Sequence, residues 1–228
     1  MRGFRNGKEL YISEAVERVH RGRILHVGCT NSPSTMARVE TGTLLHMKIC
    51  DVARNNETKV VGIDIDQAAI DFLQTKMPDE EIFLLDAHEL ASNFSNEQRF
   101  DMIIAGDVIE HLSNPGKFLS SCREVLKEEG VLIITTVNAF GIVRFLKSFL
   151  NHEAVHSEHT AYYSGKTLSR LLWMSNMTCE RFGYYSCEPI GRLEWNRAVS
   201  NIVENCACAI WPQLSEGVVI EAKKIVLV

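Results

Sequence analysis

What the chain lacks narrows its possibilities first. Its seven cysteines, at positions 29, 50, 122, 179, 187, 206 and 208, include no Cys-x-x-Cys pair. Neither a zinc ribbon nor a thioredoxin-like redox site is therefore written here. An odd number of scattered thiols suits a reducing compartment, not a disulfide framework. There is no Lys/Arg run, and the net charge is −5. Such a chain cannot neutralise a row of phosphates from composition alone, which argues against nucleic acid as a partner. The opening MRGFRNGKELYIS has no apolar core of the secretory kind. The greasiest segment, AFGIVRFLKSFL, is interrupted by Arg144 and Lys147 and is too short to span a bilayer. A cytoplasmic protein without stable membrane insertion is the expectation, and nothing indicates a homo-oligomer. No repeat or low-complexity linker divides the 228 residues, so one domain over 1–228 is expected.

Glycine is also scarce where it would be most informative. In RILHVGCTNSPS, Gly28 is followed by Cys29, Thr30, Asn31 and Ser32, with no second glycine at the spacing that lets a pyrophosphate approach the backbone. A dinucleotide site is therefore disfavoured. Gly28 and the next acidic strand end, Asp64, are 36 positions apart, against roughly 20 for an uninterrupted strand–turn–helix–strand unit. An insertion over about 31–40 accounts for the excess. Thr41, Gly42 and Thr43 are then placed to restart a helix and aim its amides at a ligand.

What is present is a rhythm of apolar runs and helix-like stretches. Strands are expected at 24–27, 60–65, 82–85, 100–106, 131–137, 180–187 and 217–224. Helices are expected at 11–21, 44–54, 66–76, 115–127, 139–150 and 166–176. Runs as apolar as VVGIDI and VLIITTV fit strands covered on both faces. The fold class is thus α/β, a doubly wound Rossmann-like sheet of seven strands. Ligands in such sheets bind beyond the carboxyl ends of the strands. Those ends carry Gly28, Asp64, Asp86, Asp107 and Asn138.

Taken in order, ILHVGC, VVGIDID, LLDAHEL and FDMIIAGDVIEHLSNPGKFL resemble the motifs of class I S-adenosylmethionine (SAM)-dependent methyltransferases. They are most similar to the ubiquinone-biosynthesis-like (type 11) small-molecule branch. The resemblance covers about residues 20–140 and implies an antiparallel last strand. It implies that Gly28, with Cys29 and Thr30, lines the methionine part of SAM. Asp64 and the adjoining Ile65 would meet the ribose, Asp86 and Ala87 the adenine, and Asp107 the methionine end. Where the family usually has an acidic residue this chain has His26, a neutral replacement that weakens the hold on the SAM ammonium.

Methyl transfer to a hydroxyl needs a proton acceptor, and histidine titrates in the useful range. His111, in the family's Glu-His pair with Glu110, stands as either a base or a capping residue. His156 and His159 are the other candidates, in a region (about 139–176) that the family uses as an acceptor-side lid. His152, His156 and His159 can also share a helical face near Glu153 and Glu158. No metal-binding motif accompanies them, and no metal is assigned. Phe140, Phe145, Phe149, Tyr162 and Tyr163 either line that lid or, for 140–150, pack as an amphipathic helix on the core. Cys206 and Cys208 are expected in buried packing. The resulting expectation is an enzyme that uses SAM, leaves S-adenosylhomocysteine (SAH), and methylates a small-molecule hydroxyl on a sugar or secondary metabolite. The rival expectation is a non-catalytic partner subunit or ligand sensor on the same fold.

Overall fold

The structure is a computed structural model that describes residues 3–4, 7–149, 151, 155–185, 208 and 210–225. Among the described residues eight strands form one sheet: β1 (Gly3–Phe4), β2 (Arg23–Val27), β3 (Lys59–Asp64), β4 (Glu81–Leu84), β5 (Phe100–Gly106), β6 (Leu126–Val137), β7 (Met177–Tyr185) and β8 (Gly217–Lys224). Their order is β1-β7-β8-β6-β5-β2-β3-β4. The β2–β6 block is parallel, and β8 runs antiparallel to both β6 and β7. All seven expected strands are therefore present, and the two-residue β1 adds an edge beside β7.

Strand alternation explains the two cores. Leu25, Val27, Ile103, Leu132 and Ile134 face α6 (Pro115–Val125) and α8 (Gly165–Met174). Ile24, Met102, Ile104 and Ile133 face the other way, onto α1 (Lys8–Val16) and α3 (Leu45–Asn55). Successive side chains of a strand point to opposite faces, so both layers draw on the same apolar runs. The chain order reverses between β5 and β2. This is where an open α/β sheet leaves a crevice.

Several local expectations need correction. The first helix lies over Lys8–Val16 instead of 11–21. Val19 is nevertheless buried, as the periodicity requires. The insertion is partly ordered as a short helix, α2 (Thr35–Glu40). The amides of Thr43 and Leu44 donate to the Arg38 carbonyl, at 2.8 and 3.2 Å. Thr41–Thr43 thus closes α2 and does not present amides to a ligand. The segment 139–150 gives α7 (Ile142–Ser148), with no residue buried in the core. Phe140, Phe145, Leu146 and Phe149 are exposed on it, so it does not pack as a core helix. Arg144 anchors it instead, reaching the Asn138 carbonyl at 2.7 Å and Glu216 Oε2 at 2.7 Å. No helix among the described residues is long and apolar enough to cross a membrane.

Candidate cofactor and active site

The crevice begins at Gly28. Its backbone is left-handed, with φ of +75°, and a Cβ there would lie 2.7 Å from Val108 Cγ2. Only a residue without a side chain fits this turn beside the loop after β5. The amides that follow are all engaged. Gly28 and Cys29 donate to the Ile63 carbonyl at 2.9 and 3.1 Å. Thr30 donates to Asp64 Oδ2 at 3.1 Å. A pyrophosphate would find none of these three donors free, which agrees with the exclusion of a dinucleotide. The Cys29 side chain points into a small core with Leu44, Ile70, Leu73 and Ile82, so only its backbone faces the crevice.

Asp64 ends β3 and is half-buried. Besides the Thr30 amide, its Oδ2 accepts the Thr30 hydroxyl at 2.7 Å, while Oδ1 accepts the amides of Ile65 and Asp66 at 2.7 and 3.2 Å. Ile65 itself is 74% exposed at the rim, an apolar surface beside the carboxylate. Asp86 follows β4 and caps the short helical turn Ala87–Glu89. Its Oδ1 accepts the His88 amide at 2.9 Å and meets the His88 ring nitrogen at 2.7 Å. The His88 amide and ring, helped by Lys117, hold the Asp86 carboxyl below its usual range. Ala87 is buried beneath it.

Asp107 sits one residue past β5 with φ of +54°, an uncommon backbone for a residue with a side chain. Thr135 and Tyr185 hydroxyls donate to its Oδ1 at 3.1 Å each, and Lys8 pairs with Oδ2. Burial opposes the charge, but Lys8 and the two hydroxyls overcome it and hold the carboxyl below its ordinary range. Asn138, the last strand-end group, is fully buried. It donates to the carbonyls of Gln213 and Ser215 at 2.8 and 2.7 Å. It therefore braces the loop before β8 and is not available to a ligand.

His26 does not point to solvent as a lone polar group would. Its Nδ1 lies 3.1 Å from Nδ1 of His46 on α3, and the two rings stack with centroids 5.3 Å apart. Burial, then its partner's charge and that of Lys8, push His26 well below the usual histidine range. Burial pushes His46 down to about 4. Both rings are thus neutral at pH 7, with one proton between the facing nitrogens. His26 Nε2 is buried without a partner.

His156 and His159, after α7, converge on the loop after β5. Thr160 clamps the two segments, its amide donating to the Glu110 carbonyl at 2.7 Å and its hydroxyl to the Glu110 and Leu112 carbonyls at 3.0 Å. The His111 and His159 rings then lie 4.7 Å apart, His156 and His159 5.0 Å, and His111 and His156 6.1 Å. Tyr162 meets His159 edge-on at 5.5 Å. Tyr163 is buried beside Asn138. His152 and Glu153 lie outside the described residues, as do Cys187, Cys206 and Ala207.

Glu110 is the group that sequence reasoning undervalued. It is fully buried, and neither carboxylate oxygen accepts a hydrogen bond of normal geometry, although the Thr136 hydroxyl and Val137 amide are close. Burial and the neighbouring Asp107 push it up to about 7. His159 Nδ1 is also buried without a partner. Burial and the neighbouring His111 and His156 keep that ring below the usual histidine range. One ligand atom from each of Glu110, His111 and His159 falls within 4.8 Å of the others. This is a proton-accepting set and also a possible divalent-cation set. The adjacency of Glu110 and His111 was readable, but their meeting with His159 is made by the Thr160 clamp.

A left-handed glycine turn, carboxylates at successive strand ends, and imidazoles above the β5 loop thus line one crevice, where an open α/β sheet takes its ligand. Comparison with known proteins agrees. A family model described as Methyltransferase domain matches residues 10–181. A ubiquinone biosynthesis O-methyltransferase of Actinobacillus pleuropneumoniae serotype 7 is 24% identical over 198 residues, covering 81% of this chain and 78% of that protein. A SAM-dependent methyltransferase structure from Archaeoglobus fulgidus aligns with a TM-score of 0.60 at 15% identity, covering 96% and 95% of the two chains. An N1-methyltransferase from Burkholderia thailandensis, crystallised with its acceptor and SAH, aligns at 0.55 and 11% identity over 96% and 79%. The chain belongs to the methyltransferase-domain family, among the class I SAM-dependent methyltransferases.

Proposed function

We propose that the chain moves the methyl group of SAM to a hydroxyl of a small-molecule acceptor such as a sugar, a polyketide-like or a quinol-like metabolite. The single observation carrying the reading is the convergence of Glu110, His111 and His159, with unpartnered atoms, beside the strand-end carboxylates. SAM supplies an electrophilic methyl on its sulfonium. Gly28 gives it a backbone wall, Asp64 accepts ribose hydroxyls, Asp86 with Ala87 meets the adenine, and Asp107 faces the methionine end. His159, neutral and with Nδ1 free, takes the acceptor's proton as the oxygen–methyl bond forms. His111 and Glu110 orient it, and His156 stands behind it. A positioned base of this kind contributes typically about 10²–10⁴-fold, and alignment of the reactants more. The O-methyltransferase name of the curated relative supports an oxygen acceptor. The ring-shaped acceptors favour the exposed aromatics of α7 as a lid. A cytoplasmic setting completes the reading, supported by the reduced thiols of Cys29, Cys50, Cys122 and Cys179.

One observation favours a second reading, in which Glu110, His111 and His159 hold a divalent cation that lowers the acceptor hydroxyl's pKa. The test is transfer of labelled methyl from SAM to a panel of hydroxyl, amine and thiol acceptors. It is run on chelator-treated protein with and without added magnesium or zinc. Hydroxyl products formed without metal support the first reading. Hydroxyl products formed only with metal support the second. Methylation confined to amines or thiols overturns both.

A further inference from the structure

The stretch just after Gly28 also acts on the cofactor site's main carboxylate. An ionised carboxylate offers about four acceptor positions. Those of Asp64 are filled from within the chain: the Thr30 amide and hydroxyl on Oδ2, and the Ile65 and Asp66 amides on Oδ1. The amides belong to backbone that any residue would supply. The hydroxyl does not. It exists because threonine stands two positions after Gly28, and Thr30 is fully buried with its hydroxyl aimed at the carboxylate. Two residues on, the Ser32 hydroxyl bonds Asp66 Oδ2, while Asp66 Oδ1 caps α4 (Gln67–Lys76) through the Ala69 amide. The loop after β2 is therefore strapped to the loop after β3 at two points, each a hydroxyl on a carboxylate.

We propose that Thr30 is a built-in competitor for the ribose. Its hydroxyl holds on Asp64 the acceptor position that a ribose hydroxyl would take, and so sets the affinity and the sugar selectivity of the cofactor site. The inference rests on Asp64 being the ribose acceptor. A ribose hydroxyl can bond Asp64 only by displacing a donor already there, and the exchange returns only the difference between two similar bonds. Ser32 holds the loop near Asp64, so the displaced Thr30 hydroxyl stays close and keeps competing. Removing the hydroxyl without changing the shape of the residue should therefore improve binding.

The experiment is calorimetric titration with SAH and with 5′-deoxy-5′-methylthioadenosine, which keeps the nucleoside and lacks the amino-acid end. The proteins compared are wild type, Thr30→Val, Thr30→Ser and Asp64→Ala, each checked for an unchanged melting temperature. Thr30→Val is expected to bind both ligands about tenfold more tightly, the size of one hydrogen bond to a charged acceptor. Thr30→Ser should match wild type. The gain should be lost with the 2′,3′-dideoxy form of methylthioadenosine. Equal or weaker binding by Thr30→Val, with Asp64→Ala still abolishing it, would overturn the proposal and make Thr30 a support that orients Asp64. Undiminished binding by Asp64→Ala would instead remove the underlying assignment of the ribose acceptor. If Thr30→Val melts early, a gain in the dideoxy-sensitive part of binding by Thr30→Ala serves the same purpose, and its absence overturns the proposal.

Discussion

The two sides of the crevice are built in opposite states. On the side proposed for the cofactor the carboxylates already have partners: Asp64 has four donors from its own chain, Asp86 has His88, and Asp107 has Lys8, Thr135 and Tyr185. On the side proposed for the acceptor, Glu110 and His159 Nδ1 are buried without a hydrogen bond of normal geometry. A satisfied group must exchange one bond for another when a ligand arrives, so its contribution to affinity is small and tunable. An unsatisfied buried group has already lost its water, at about 1–3 kcal/mol, and gains outright from any partner. In the proposed assignment the cofactor side is thus organised for selectivity, and the acceptor side holds the groups whose protonation can change. His26 Nε2 is the exception, an orphan on the cofactor side.

The comparison breaks most visibly if the histidines are interchangeable. His159→Ala should lower kcat by about 10²–10⁴-fold while leaving SAH affinity within about twofold. His156→Ala, at an exposed ring, should lower kcat by less than about tenfold. Steady-state kinetics beside calorimetry decide it. A parallel loss of SAH affinity in His159→Ala would merge the two sides into one unit.

The next effect concerns the buried imidazole pair. The fold favours neutral His26 and His46, whose pKa values lie below the ordinary histidine value of 6.5. Their contribution is complete above that value and drains as pH falls through it toward about 4. For His46 alone the loss is on the order of 2 kcal/mol between about pH 7 and about pH 5. Urea unfolding at the two pH values should show this loss. The double variant with His26→Leu and His46→Leu should flatten it. An unchanged slope in the double variant would place the sensitivity elsewhere.

The frame of this fold was legible because it is local. FDMIIAG and GVVIEAKK gave β5 and β8 to the residue, since an apolar run between breakers carries its own boundaries. β6 begins earlier than its apolar run, at Leu126, because the buried Leu126 pairs with Phe100 across an irregularity. Only long-range register decides that. The strand-end residues Gly28, Asp64, Asp86 and Asp107 were readable for the same local reason. Their partners were not. Thr30 and Asp64 are 34 positions apart, and Lys8 and Asp107 are 99 apart. The His46 that pairs with His26 sits on a helix beyond the insertion. Nor does a sequence tell whether a buried carboxylate such as Glu110 is met by donors of good geometry, because that depends on packing across the sheet.

Glu110 gives an effect of about the same size and of opposite sign. Its folded pKa is raised, from 4.5 to about 7, by burial and by Asp107. The fold therefore favours the protonated acid, and the contribution is complete below 4.5 and lost as pH rises through 7. This slope opposes that of the histidine pair. Glu110→Gln removes the buried charge and keeps the shape, so it should stabilise the protein by about 2 kcal/mol at about pH 8. The gain should vanish near pH 5. Methyl transfer should fall in the same variant, because the group that costs stability is the one that orients His159. Denaturation curves at both pH values, beside the rate, test both halves. A destabilised Glu110→Gln at high pH would mean that the carboxylate has a partner after all, and the contrast between the two sides would then be one of degree.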